Sequence, residues 1–188
     1  MARLDYVRND SEVANRIRLR RGGNLTPLDG MLLHSSPVAD GWNNLLGAIR
    51  NDTSLPADIR ELAVLRVAAL NGAHYEWQAH EPVGRAAGLS DAHLGALHEG
   101  GDTTVLNAAQ RATLEYADAM TRRVTVPDPV FDGLRTHFDD RQIVELTATV
   151  GTYNLVSRFL VALEVGAEDT AEGAGEDDGG GHWQERSA

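Results

Sequence analysis

The sequence predicts an all-α fold, a bundle of antiparallel helix pairs within a chain of 188 residues. Three observations carry that expectation. Apolar residues recur at helical spacing in one stretch after another, and these stretches open on Ser, Asp or Pro and several close on Gly. No stretch alternates apolar and polar residues in the manner of a strand, although Val124-Thr125-Val126 has the composition of extended chain. Finally, Asn71 and Gly72 separate two helical runs by so short a link that the runs must pack as antiparallel neighbours.

Taken in order, residues 1–24 read as an N-terminal arm in which Val13, Ile17 and Leu19 support at most a short helix. Six Arg against three acids in residues 1–21 mark the arm as solvated and only loosely packed. A helical domain follows over residues 25–166. Ser36-Pro37 is the cap and first position of a helix to Arg50, with Trp42, Leu45, Leu46 and Ile49 on one face. Ser54-Leu-Pro-Ala opens a second helix running to Leu70, and Glu61 falls in its second turn. A third runs from His74 to Ala87 and closes on Gly88. Ser90 to Glu99 forms a short helix, Leu106 to Arg122 a longer one, and Asp128 to His137 another short one. Asp139-Asp-Arg-Gln142 has the form of a capping box and starts a long helix through Val165, stopped by Gly166. This last helix is apolar on most of its circumference, which places it centrally or at a subunit contact. Residues 167–188 hold Gly, Ala and acids with no large apolar side chain except Trp183, so they read as a disordered acidic tail.

Composition narrows the chemistry. The chain has no Cys, which excludes disulfides, thiolate metal sites and thiol peroxidase chemistry. All 17 basic residues are Arg, so no lysine Schiff base, pyridoxal-phosphate anchor or P-loop lysine exists. A net charge of -11 disfavours nucleic acid as a partner. Neither a long apolar run nor a signal-peptide core is present, so no membrane is expected and the chain reads as cytoplasmic.

The stretch Glu61 to His80, ELAVLRVAALNGAHYEWQAH, is where ionisable side chains enter core-like sequence. Glu76 and His80 stand four apart and share one helix face. A carboxylate beside an imidazole raises its pKa and fixes its tautomer, which prepares a proton donor or acceptor near neutral pH. Glu61 enters the same packed hairpin, so His80, Glu76 and Glu61 are the candidate catalytic residues. The same side chains with His74 are acceptable metal ligands, but His74 is six residues from His80 and turned away from it, so no metal site is expected. His34, Trp42 and Arg158 are candidate substrate-binding residues, with Arg158 suited to a carboxylate. Tyr153, Asn154 and Arg158 lie at near-helical spacing, the pattern also of plain interface hydrogen bonding.

At these residues the chain resembles the carboxymuconolactone decarboxylase family, which includes the alkylhydroperoxidase D-like proteins. The resemblance covers residues 28–165 and is most specific in RELAVLRVAALNGAHYEWQAH, with YNLVSRFLVAL also similar. The family's peroxidase branch has a glutamate, a C-x-x-C pair beginning twelve residues later, and a histidine four residues after the second cysteine. Glu61 and His80 match the glutamate and histidine, while Ala73 and Glu76 occupy the cysteine positions. The resemblance implies an alkylhydroperoxidase D-like helix bundle, an obligate homo-oligomer (trimer or hexamer), and a cofactor-free reaction. In the decarboxylase branch an unsaturated carboxylated lactone loses CO2 and the resulting carbanion is protonated. Three readings therefore stand: a cofactor-independent lyase or isomerase of a small conjugated acid or lactone, a non-catalytic oligomeric binding protein with Glu61, Glu76 and His80 as a structural network, and a metal-dependent enzyme using the same residues.

Overall fold

The computed structural model describes residues 2–169, and every regular element among them is a helix. In chain order these are α1 (Glu12–Arg21), α2 (Pro27–Leu32), α3 (Ser36–Asn51), α4 (Ala57–Leu70), α5 (His74–Ala86), α6 (Asp91–Ala96), α7 (Ala108–Arg123), α8 (Asp128–Arg135) and α9 (Asp140–Ala162), with a 3-10 turn at Thr103–Val105 before α7. Among the described residues, no helix is long and apolar enough to cross a membrane. The expected acidic tail lies outside the described residues from 170 onward, Trp183 included. Its first residues are described, and Asp169 accepts a 2.6 Å hydrogen bond from the Tyr6 hydroxyl.

The bundle is built around α4. Its sequence is apolar or small at ten of fourteen positions, and Ile59 through Ala68, Arg60 excepted, are all buried. It packs against α5, α7 and α9, so a polar group on any of those faces is forced into the interior. Two such groups exist. Arg66 is satisfied by a two-point pairing with Asp118, at 2.6 and 2.7 Å, and by the Leu97 carbonyl at 2.8 Å. The other is Glu61.

The α4–α5 hairpin turns at Asn71 and Gly72, where Gly72 takes φ 62°. Gly84 lets α5 lie close on α4, since a Cβ there would stand 2.9 Å from Leu65 Cδ1. The capping box at Asp139 is present in full, with Asp139 Oδ1 accepting from Gln142 N–H at 2.8 Å and the Gln142 side chain accepting from Asp139 N–H.

Several sequence expectations shift. The Pro27–Leu32 helix is an addition to them; its Thr26–Asp29 capping box uses Asp where the usual signature has Glu or Gln. Ser54 does not cap α4. Its N–H and hydroxyl both bond Glu145 at 2.8 Å, and α4 begins after Pro56. Val124 is not extended but takes φ 65° in a tight turn that ends α7, an unusual conformation for a β-branched residue. The last helix stops at Ala162, and the left-handed turn falls on Glu164, before Gly166 is reached. The N-terminal residues are more firmly seated than a solvated arm, since Ala14 and Ile17 are fully buried and Arg3 N–H bonds the Leu163 carbonyl at 2.9 Å.

Candidate active site

The hairpin brings Glu61 of α4 and His80 of α5 face to face. His80 Nδ1 lies 2.7 Å from Glu61 Oε2, with both side chains buried. Glu61 Oε1 accepts from Arg60 Nε at 3.2 Å. One turn before His80, Glu76 places Oε1 3.0 Å from His80 Nε2, at an angle that makes no hydrogen bond and leaves this buried oxygen without a donor. From α9, the Tyr153 hydroxyl sits 3.2 Å from the same Nε2, with its ring edge-on to the imidazole. Arg50 of α3 donates from Nε to the Tyr153 oxygen at 3.1 Å. Four helices therefore converge on one imidazole.

The partners fix which nitrogen is able to exchange a proton. An ionised carboxylate only accepts hydrogen bonds, so Nδ1 facing Glu61 carries a proton in both states of the ring. Nε2 is then the atom that gains or loses a proton, facing Tyr153 and Glu76. Burial alone pushes the His80 pKa down, but the bond to Glu61, the contact with Glu76 and the two negative charges outweigh it and hold it above its ordinary value. Burial pushes Glu61 up, and His80 and Arg60 outweigh that to hold it below the ordinary carboxylate value. Burial raises the Tyr153 phenol to about 12, so it stays a neutral hydroxyl. The set amounts to an imidazole held toward its protonated form between two carboxyl groups, with a neutral phenol on Nε2.

The three catalytic candidates named from sequence thus come together. The substrate-binding candidates lie apart from them. His34 is exposed, with Nε2 2.8 Å from the Asp5 carbonyl. Arg158 is also exposed and donates to Asn154 Oδ1 at 2.6 Å and to the Asn154 carbonyl. Trp42 packs its ring on Phe159 and lines a narrow crevice that Arg50 also lines. His74 is exposed at the start of α5 on a cavity of about 250 Å³, away from the buried cluster. Among the described residues, no three or more His, Asp or Glu side chains are grouped to hold a metal ion.

Tyr153 stands out in sequence only as part of a polar row in an apolar helix. Arg50 is missed by sequence reasoning, though it follows Leu46 by four residues and so stands on the apolar stripe of its helix, where a charge needs a partner.

Residues 36–119 match the family model described as the carboxymuconolactone decarboxylase family. This stretch belongs to that family. The matched span contains Glu61, Glu76 and His80, and ends before Tyr153. YdfG of Bacillus subtilis, an uncharacterized protein, is 26% identical over 113 residues, covering 59% of this chain and 77% of YdfG. A protein of unknown function from Agrobacterium tumefaciens, whose description links it to the antioxidant defence protein AhpD, superposes with a TM-score of 0.66 at 26% identity, covering 71% of this chain and 92% of that one. The debrominase Bmp8, in complex with 2,3,4-tribromopyrrole, shares the fold with a TM-score of 0.73 at 17% identity, over 91% of this chain and 95% of Bmp8. The fold is thus one that a debrominase also has, and this chain carries the family-matching stretch without any cysteine.

Proposed function

We propose that this protein is a cofactor-independent acid/base lyase of the carboxymuconolactone decarboxylase type, acting on a small conjugated carboxylic acid or lactone. One observation carries the reading: a buried imidazole whose Nδ1 is fixed by Glu61 and whose Nε2 is left to exchange a proton beside Glu76 and Tyr153. Carboxylate loss breaks the bond between the substrate carbon and CO2, and the electron pair passes into the substrate's own conjugated carbonyl. The Nε2 proton then goes to carbon, and the ring recovers a proton from solvent. Glu61 stabilises the imidazolium and sets its tautomer; Glu76 adds the second negative charge. Isomerisation uses the same proton moved between two carbons. A peroxidase reaction through a cysteine pair is not available to a chain with Ala73 and Glu76 at those positions.

A screen of conjugated acids and lactones against wild type and His80→Gln tests this. General acid–base catalysis contributes about 10²-fold or more, so the variant should lose at least that in kcat while keeping its fold. Full turnover by a folded His80→Gln protein sinks the assignment. The competing reading is a structural network in a binding protein, and the closed environment favours it: His80 is 7% exposed and both ring nitrogens have neighbours. That reading predicts no turnover by wild type and a large loss of stability in the variant.

A homo-oligomer is part of the proposal. Val144, Ala148, Gly151 and Leu155 form an exposed row along α9 at alternating three- and four-residue spacing, with Val144 67% and Leu155 49% exposed. Light scattering on the purified protein should return a mass several times 20.3 kDa, and Leu155→Glu should lower it. A monomeric wild type refutes this part.

A further inference from the structure

Under α1, between it and α3, lies a crevice with room for about one water, about 10 Å³. Arg20, Arg21, Asp29, Trp42, Asn43 and Arg50 are among its lining residues. Three guanidinium groups meet one carboxylate there. Arg21 is taken by Asp29, with Nε 2.6 Å from Oδ2. Arg20 bonds only through Nε, to Asn43 Oδ1 at 2.6 Å. Arg50 bonds only through Nε, to Tyr153, so its terminal nitrogens have no protein partner among the described residues.

The site behind Arg50 offsets part of the excess. Glu61 and Glu76 already face the His80 ring and Arg60. Burial works against the Arg50 guanidinium, and Tyr153, Glu76 and Glu61 outweigh it; Arg20 is disfavoured by its own partial burial, by Arg21 and by Arg50 across the crevice.

We propose that this crevice is the seat of the substrate's carboxylate, gripped by the free nitrogens of Arg50 and Arg20, with the conjugated chain lying on Trp42. The proposal rests on the acid/base reading above and names its anion anchor. Arg50 then joins the two halves of the site, holding the anion with its terminal nitrogens and Tyr153, the neighbour of His80 Nε2, with Nε. Two planar nitrogens facing outward suit the fork-like pairing with a carboxylate. Trp42 offers a flat apolar face that suits a conjugated chain. As it stands the crevice is too small for such a ligand, so α1 must lift. Gly22 and Gly23, at φ of 81° and 124°, end the helix and supply the pivot, and the movement has to unseat the buried Ala14 and Ile17 as well as loosen the Arg16–Asp40 ion pair and the Arg20–Asn43 bond.

The test uses full-length protein carrying Trp77→Phe and Trp183→Phe, so that Trp42 alone reports. Titration with sorbate should give a saturable fluorescence change. Methyl sorbate, of nearly the same shape but without charge, should bind roughly tenfold more weakly or worse, as should sorbate to Arg50→Gln and Arg20→Gln. Arg20 is exposed and a Gln there keeps an N–H donor for Asn43, so its substitution should leave the fold intact and keeps the test decisive if Arg50→Gln fails to fold. No saturable change with sorbate, equal binding of the ester, or full affinity in Arg20→Gln overturns the proposal. Arginine-dependent binding without any His80-dependent turnover would retain this site and reject the lyase reading. His80-dependent turnover indifferent to Arg20 and Arg50 would do the reverse.

Discussion

Replacing Glu61 by Gln changes one charge and almost no volume, which makes it the sharpest probe of the cluster. The carboxylate spends one oxygen on His80 Nδ1 at 2.7 Å and the other on Arg60 Nε at 3.2 Å. An amide has one oxygen for these two donors, so one of them is left facing an N–H. Hydrogen bonds to charged groups contribute about 1.5–3 kcal/mol, and a half-broken buried pair costs about 3–5 kcal/mol. Because Gln keeps one acceptor, the expected loss is about 2–4 kcal/mol where both charges are present. The pH dependence follows from the shifts. His80 has a raised pKa in the fold, so its stabilisation is complete below its ordinary 6.5 and is lost as pH rises through the folded value. Glu61 has a lowered pKa, so its stabilisation is complete above its ordinary 4.5 and is lost as pH falls through the folded value. The stability gap between wild type and Glu61→Gln is therefore widest from 4.5 to 6.5 and narrows on either side. Urea unfolding followed by far-UV circular dichroism at about pH 5.5 and about pH 9 measures it. A gap of the same size at both, or one below about 0.5 kcal/mol, would refute the charged pairing.

Two further substitutions test neighbouring parts. Tyr153→Phe removes the partner of His80 Nε2 and leaves Arg50 Nε without an acceptor, so urea unfolding should show a loss of about 1–3 kcal/mol; an unchanged midpoint would mean that Arg50 does not depend on the phenol. Arg66→Lys exchanges a two-point fork on Asp118 and a bond to the Leu97 carbonyl for a single ammonium, and should cost about 1.5–3 kcal/mol. Arg141→Lys, at a 67% exposed side chain, serves as its control and should stay within about 0.5 kcal/mol in the same assay.

What was legible in the sequence was local. Helical spacing, caps such as Asp139 with Gln142, and the Asn71-Gly72 break are set by residues within a few positions of one another, and the helices they imply are present. The pairing of Glu76 with His80 is equally local, since four residues on a helix make one face. Glu61 joined them because a two-residue turn leaves two helices little freedom except to pack side by side. Short range also explains the errors. Ser54 has the form of a cap, but Glu145, 91 residues away, offers its donors a better acceptor.

The remainder of the site was decided by tertiary packing. Arg50 and Tyr153 are 103 residues apart, and Tyr153 meets His80 across 73 residues. Nothing in spacing relates them; they meet because α3, α5 and α9 surround one end of a buried helix. Sequence alone determined that an imidazole would stand among carboxylates with no cysteine or lysine to share its chemistry. Only the fold determined that Nε2 is the nitrogen left to exchange a proton, because a buried donor needs an acceptor and the acceptor for Nδ1 is fixed on α4.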